Sequence, residues 1–311
     1  MRNRIRPRRP TASRTAALAA TAALALVMPV TGSVPASASQ GVVTHFVFTA
    51  DGADTIGDSA YIDNPATNDQ GGAFLFVTPN YDPGGGCGCV FDSAPIGVWY
   101  NRTLGQWAVF NENGDTMPLN ESFNVLVVPE DKISHSVYTE EAIPDFTVGD
   151  YTFITNSVAD GNPHAKIQVT QNFGPGGFGG TYNAHPIGVW YDNTAGLWAI
   201  FNEDQAPMPI GAHFNVLVGA RAKNGGGTAA LLRTTKSDSS ADTTYINNPA
   251  TNGNPGNITF VTPNYDPGGK GGTYNDVQTG VWYPSPQEGV FNENGSSPPL
   301  HSADNLLIFP S

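Results

Sequence analysis

The residues of this 311-residue chain that could do chemistry recur in threes. Phe110-Asn111-Glu112 returns as Phe201-Asn202-Glu203 and again as Phe291-Asn292-Glu293. A glutamate so placed could serve as a general acid or a nucleophile. Glycoside chemistry, however, needs two carboxylates at a set separation in one cleft. A group present three times fits a turn, a strand end or a multivalent contact better. The chain carries no nucleophile elbow, zinc-binding helix or Ser/His/Asp set, and its six histidines show no ligand spacing. It therefore reads as non-catalytic, with a secreted hydrolase as the enzymatic rival.

Tryptophans lie close to those glutamates. Gly97-Val98-Trp99-Tyr100 recurs as Gly188-Val189-Trp190-Tyr191 and Gly280-Val281-Trp282-Tyr283, so Trp99, Trp190 and Trp282 are expected to anchor the core. Trp107 and Trp198 are matched in the third copy by Glu288. A carboxylate is rarely buried without a partner, so this position is expected to be at least partly exposed. Trp107 and Trp198, with Glu112, Glu203, Asn111 and Asn202, would then give a flat apolar face beside hydrogen-bonding groups. That combination suits a sugar ring. The plainer alternative is a rim tryptophan covering the edge of the core.

Two further groups are weighed for disulfide and metal chemistry. Cys87 and Cys89, the only cysteines, lie in the Gly-rich loop of the first copy. Two thiols in an exported protein favour a local bond, although so small a ring is strained and restrains little unfolded chain. An intermolecular bridge and a redox pair are the other readings. Asp82 and Asp266 lie near Asn80 and Asn264 beside the loops at Pro83 and Pro267, so oxygen ligands for Ca²⁺ are conceivable. The second copy has Gly174 instead and no EF-hand spacing appears, so no cofactor or metal is assigned. Nor do these loops suit phosphate, because a strand rather than a helix follows each.

Positioning these residues requires a repeated scaffold. Tyr61-Ile62-Asp63-Asn64 returns at Phe153 and Tyr245 in steps of 92 residues, and Val77-Thr78-Pro79-Asn80 returns at Val169 and Val261. Four blocks in fixed order mark three repeats, 39–129, 134–219 and 229–311. With 36 Gly, 25 Pro and no helical signal, each repeat reads as strands near His45–Thr49, Ala60–Asp63, Phe74–Thr78, Ile96–Asn101, Trp107–Asn111 and Phe123–Val128 or their equivalents. The expected fold is all-β: three tandem repeats of about 90 residues, each a small antiparallel β-sandwich or barrel closing its own core. One continuous propeller-like assembly is the alternative. Upstream, the Arg-rich Met1–Arg14, the apolar Ala16–Val30 and Ala36-Ser37-Ala38 have the layout of a signal peptide, residues 1–38. The protein is thus expected to be secreted and extracellular. Beyond that segment eight basic residues face 27 acidic ones, a net charge of −19, which disfavours nucleic acid and anionic lipid as partners. No later stretch is apolar enough for membrane insertion.

The blocks Pro83-Gly84-Gly85, Pro186-Ile187-Gly188-Val189-Trp190-Tyr191, Trp198-Ala199-Ile200-Phe201-Asn202-Glu203-Asp204 and Met208 to Val218 resemble a repeat family of secreted bacterial proteins of unknown function. The resemblance spans all three repeats. It implies extracellular β modules and carries no catalytic residues with it. The third repeat departs at Gln278, Glu288 and Asp304-Asn305-Leu306. The expected role is non-catalytic, multivalent binding at the cell exterior, with a glycan or cell-surface polymer as ligand. A structural matrix component is the rival outside enzymology.

Overall fold

Runs of β-branched and aromatic residues, cut by Gly, Pro and Asn, give seven strands per repeat in a computed structural model that describes residues 42–86, 88–132, 135–219 and 227–311. In repeat 1 these are β1 (Thr44–Thr49), β2 (Thr55–Ile56), β3 (Ser59–Ile62), β4 (Phe74–Pro79), β5 (Ile96–Asn101), β6 (Gln106–Asn111) and β7 (Ser122–Val128). Repeat 2 follows with β8 (Val137–Glu141), β9 (Thr147–Val148), β10 (Tyr151–Ile154), β11 (Ile167–Asn172), β12 (Ile187–Asp192), β13 (Leu197–Asn202) and β14 (His213–Val218). Repeat 3 has β15 (Thr228–Arg233), β16 (Ser239–Ser240), β17 (Thr243–Tyr245), β18 (Ile258–Pro263), β19 (Thr279–Trp282), β20 (Gly289–Asn292) and β21 (Ala303–Phe309). The expected signal peptide lies outside the described residues. Among those described, helix is confined to short 3₁₀ turns, and no helix is long and apolar enough to cross a membrane.

Each repeat is a two-sheet sandwich and not a closed barrel. In repeat 1 the antiparallel order β1-β7-β4 faces β2-β3-β6-β5, and the same pairings recur in repeats 2 and 3. Both sheets contribute to the enclosed core: Leu75, Phe123 and Val125 from one meet Ile62, Val98 and Val109 from the other. Repeats 2 and 3 enclose equivalent clusters.

The three-stranded sheets are buried on both faces, which explains why β4 and β7 are interior along their whole length. Alternate residues point opposite ways along a strand. Phe123, Val125 and Val127 enter the core of repeat 1, while Leu126 and Val128 join Phe74, Phe76, Val137, Leu217, Phe260, Leu307 and Phe309 in a cluster shared by all three repeats. Each repeat closes its own core as expected, and the described residues also share a fourth core that joins the three repeats into one compact unit.

The seams between repeats follow one cyclic rule. Strand β5 of repeat 1 pairs in parallel with β11 of repeat 2, Val98 opposite Asn172. Parallel bridges Val189 to Asn264 and Val281 to Asn80 repeat that contact, the last returning from repeat 3 to repeat 1. Threonine hydroxyls add a second cycle: Thr170 Oγ1 accepts from the Val77 N–H (3.1 Å), Thr262 from Val169 (3.0 Å) and Thr78 from Val261 (3.0 Å). Side-chain amides of Asn124, Asn215 and Asn305 add a third, donating to the carbonyls of Thr259, Leu75 and Ile167 at 2.9–3.1 Å. Buried polar groups need partners, and here repeats supply them to one another.

Candidate functional site

Strand parity decides where the tryptophans go. In β5 the side chains of Ile96, Val98 and Tyr100 share the core face, so Trp99 lies on the other face with Gly97 and Asn101. Register then sets Trp107 of β6 opposite Tyr100, inside the core. Trp107 and Trp198 are 0 % exposed, and their indole N–H groups donate to the carbonyls of Gln70 and Asn162 at 2.9 Å. The expected exposure is thus reversed: Trp107 and Trp198 are core, whereas Trp99, Trp190 and Trp282 are half-buried. The inference from Glu288 failed because its environment changed with it. Glu288 is 4 % exposed and accepts from Asn257 Nδ2 (2.6 Å) and Thr259 Oγ1 (2.7 Å). Repeats 1 and 2 have Ala73 and Leu75, or Ala165 and Ile167, in those places. Burial pushes the Glu288 carboxyl up to about 7.

The recurring glutamates are latches between repeats. Glu112 accepts from the backbone N–H of Asn183 (3.2 Å), Glu203 from that of Asn275 (3.0 Å) and Glu293 from that of Asp92 (3.2 Å), each across a seam. Glycine before the Val-Trp-Tyr run makes room for them. A Cβ on Gly97, Gly188 or Gly280 would strike the carboxyl of Glu112, Glu203 or Glu293 and the ring of Phe110, Phe201 or Phe291. Burial pushes Glu112 and Glu203 up to about 8. Asn111 and Asn202 are interior as well, and Asn202 accepts from Asn183 Nδ2 at 2.8 Å. None of the six residues expected to form a ligand platform therefore presents an exposed surface.

The seam from repeat 3 to repeat 1 is the most acidic. Asp92 stands where the other repeats have Asn183 and Asn275, and Glu121 stands where they have Ala212 and Ser302. Both are buried beside Glu293, and burial with the neighbouring charges of Glu293 and Asp92 pushes Glu121 up to about 10.

The oxygens considered for Ca²⁺ are engaged within the fold. Asp82 and Asp266 accept from the backbone N–H groups of Tyr283 and Tyr191 at 2.7 Å, and Asn80 and Asn264 donate to Asn124 and Asn305. No cluster of three or more His, Cys, Asp or Glu able to hold a metal occurs among the described residues. Cys89 is disulfide-bonded, and Cys87 lies outside the described residues.

An aromatic cluster stands at each seam, and the half-buried Trp190 and Trp282 adjoin two of them. Phe110, Phe173 and Tyr182 cluster between repeats 1 and 2; Phe201, Tyr265 and Tyr274 between 2 and 3; Phe291, Tyr81 and Phe91 between 3 and 1. Trp99 and Trp282 have their indole N–H groups satisfied within their own repeats. Trp99 Nε1 donates to Ser59 Oγ (3.2 Å), which donates to Asp58 (2.8 Å); Trp282 Nε1 donates to Thr243 Oγ1 (2.9 Å), which donates to Asp242 (2.9 Å).

In the middle cleft Tyr151 replaces the small hydroxyl residue and the relay is broken. Tyr151 meets Trp190 edge to face at 5.1 Å. The Trp190 indole N–H and the Asp150 carboxylate have no hydrogen-bond partner among the described residues. Asp150, Tyr151, Trp190, Phe201, Tyr265 and Tyr274 line an open cleft of about 170 Å³. Tyr265 and Tyr274 stack at 4.4 Å along one wall. None of these residues was singled out as a binding group from sequence. The usable signal was parity, because Trp190 shares its strand face with Gly188 and Asp192 rather than with Val189 and Tyr191.

The family described as "Domain of unknown function (DUF7452)" matches residues 33–127, 101–218 and 196–308. No curated protein and no solved structure matches the chain.

Proposed function

The chain therefore belongs to the DUF7452 family, and from that premise we propose that it is an exported, non-catalytic binding protein of the cell exterior whose ligand is a glycan or other surface polymer. The observation that carries this reading is the middle cleft. Aromatic side chains line a cleft with an indole donor at Trp190 and a carboxylate acceptor at Asp150 that have no hydrogen-bond partner among the described residues. Ligand sites combine apolar lining with a few convergent polar groups, and a sugar ring offers an apolar face with hydroxyls at its edge. At the other two seams the indole N–H groups of Trp99 and Trp282 are already paired, so the aromatic clusters there add contact area and avidity rather than specificity.

Capture of residues 39–311 on insoluble polysaccharides tests this reading. Retention by the intact chain and its loss in Trp190→Ala, with the melting temperature moved by no more than a few degrees, is the expected result. Self-assembly without capture would favour the matrix component, and release of soluble sugar would favour the hydrolase.

A further inference from the structure

We infer that the cleft between repeats 2 and 3 selects a sugar ring bearing a protonated amine, so that its ligand is a glucosamine-type polymer rather than a neutral or acidic one. This rests on the reading of the cleft as a sugar site and narrows it to one substrate class.

The first ground is a comparison of the three seams. Asp58 and Asp242 each accept a hydroxyl hydrogen bond from the neighbouring Ser59 or Thr243, whereas Asp150, in the same place, accepts none among the described residues. A ring seated on Trp190 would cover Asp150 and strip water from its carboxylate. A neutral ring returns one or two hydroxyl hydrogen bonds. Those bonds leave the carboxylate charge uncompensated in the covered site, whereas an ammonium group both donates hydrogen bonds and neutralises that charge as an ion pair.

The second ground is the lining itself. Tyr151, Trp190, Tyr265 and Tyr274 turn several ring systems toward one volume, and the negative faces of aromatic rings attract a cation within about 6 Å of their centroids. No Lys or Arg lines the cleft.

The third ground is the surrounding field. Desolvation pushes the phenols of Tyr151 and Tyr274 up, and nearby acidic groups add to it: Asp192 and Asp150 at Tyr151, and Tyr265, Asp150 and Glu203 at Tyr274. All are acids, though Glu203 is largely protonated near neutrality because burial pushes it up to about 8. A uronic acid or sulfated sugar would meet repulsion at the cleft and from the acidic balance beyond residue 38, where eight basic residues stand against 27 acidic ones.

Such a charge attracts any polycation, so the test uses short oligomers and charge-matched variants. Binding of residues 39–311 to tetramers of glucosamine, N-acetylglucosamine and glucose is measured by calorimetry at a pH that keeps the amine protonated. The glucosamine tetramer is expected to bind about tenfold more tightly than the other two. Asp150→Asn should erase that preference, and Trp190→Ala, which leaves the net charge unchanged, should abolish binding. Equal binding of all three tetramers, lost in Trp190→Ala, would overturn the amine inference and leave the glycan reading standing. Glucosamine binding that survives Trp190→Ala would show diffuse charge attraction and overturn the inference. Absence of binding to every tetramer and to insoluble polysaccharide would overturn both readings. Thermal unfolding of each variant separates lost binding from lost fold.

Discussion

Removing one of the two tryptophans in repeat 2 should have opposite consequences depending on which strand it leaves. Trp198 is 0 % exposed, packs against Tyr191 at 5.5 Å and donates its N–H to the Asn162 carbonyl. Truncation of a buried Trp to Ala costs about 3–5 kcal/mol, and an orphaned buried carbonyl adds roughly 1–3 kcal/mol where water cannot reach it. For a unit of this size each kcal/mol lowers the melting temperature by about 2–4 °C, so Trp198→Ala should fall by at least about 6 °C. Trp190 is half-buried with an unpaired indole N–H, and its truncation should move the midpoint by only a few degrees. Repeat 3 supplies the compensating experiment. Trp198→Glu should destabilise severely as an unpaired buried carboxyl, and adding Ala165→Asn and Ile167→Thr, the partners that Glu288 has, should recover part of the loss. Calorimetric melting of the four variants measures these effects. A Trp198→Ala midpoint within 2 °C of the wild type, or no recovery in the triple variant, would refute the assignment of this position to the core.

The remaining predictions concern charge, assembly and the seams. Buried carboxyls, among them Glu112 and Glu203 at about 8 and Glu121 at about 10, hold protons in the folded state that the unfolded chain releases above about 4.5. Their stabilising effect is complete below that value and is lost as pH rises toward the folded values, by up to about 1.4 kcal/mol per pH unit for each group. The melting temperature should therefore be higher at pH 5 than at pH 9, and Glu121→Gln should flatten the slope; a midpoint that rises with pH contradicts this. Deleting repeat 3 uncovers Phe74, Phe76, Leu126 and Leu217, so residues 39–219 should melt below the whole chain and associate in sedimentation experiments. Gly188→Ala brings a Cβ into Glu203 and Phe201 and should lower the melting temperature, whereas Gly114→Ser, which meets nothing within 4 Å, should have a smaller effect arising from its positive φ.

Much of the architecture was legible because repetition and period-2 patterning are local signals. The strand expected at Ile96–Asn101 is β5, and the one expected at Trp107–Asn111 is β6 with one residue added at its start. The short β2 carries too few residues to show alternation. The shared core was not legible, since Phe76 and Leu126 alternate with Leu75 and Val125 and all are apolar. Such runs show that both faces are buried but not what covers the second. The site was missed through a single substitution. Glu288 reads as a surface residue until Asn257 and Thr259 are seen to have changed with it, and only three-dimensional proximity joins those three positions. The cleft was hidden for a related reason: its walls come from β10, β12 and β13 of repeat 2 and from the loops around Tyr265 and Tyr274 of repeat 3.

The central claim is that the unpaired Trp190 N–H and Asp150 carboxylate of the middle cleft take a sugar ring. Tyr151→Ser tests it most directly, because it rebuilds there the relay that Ser59 and Thr243 form in the other two clefts. The measurement is retention on whichever polysaccharide captures the wild type, with Tyr151→Phe as the variant that keeps the ring. Loss of retention in Tyr151→Ser at an unchanged melting temperature, with retention preserved in Tyr151→Phe, is the predicted result. Retention of Tyr151→Ser equal to that of the wild type would contradict the claim.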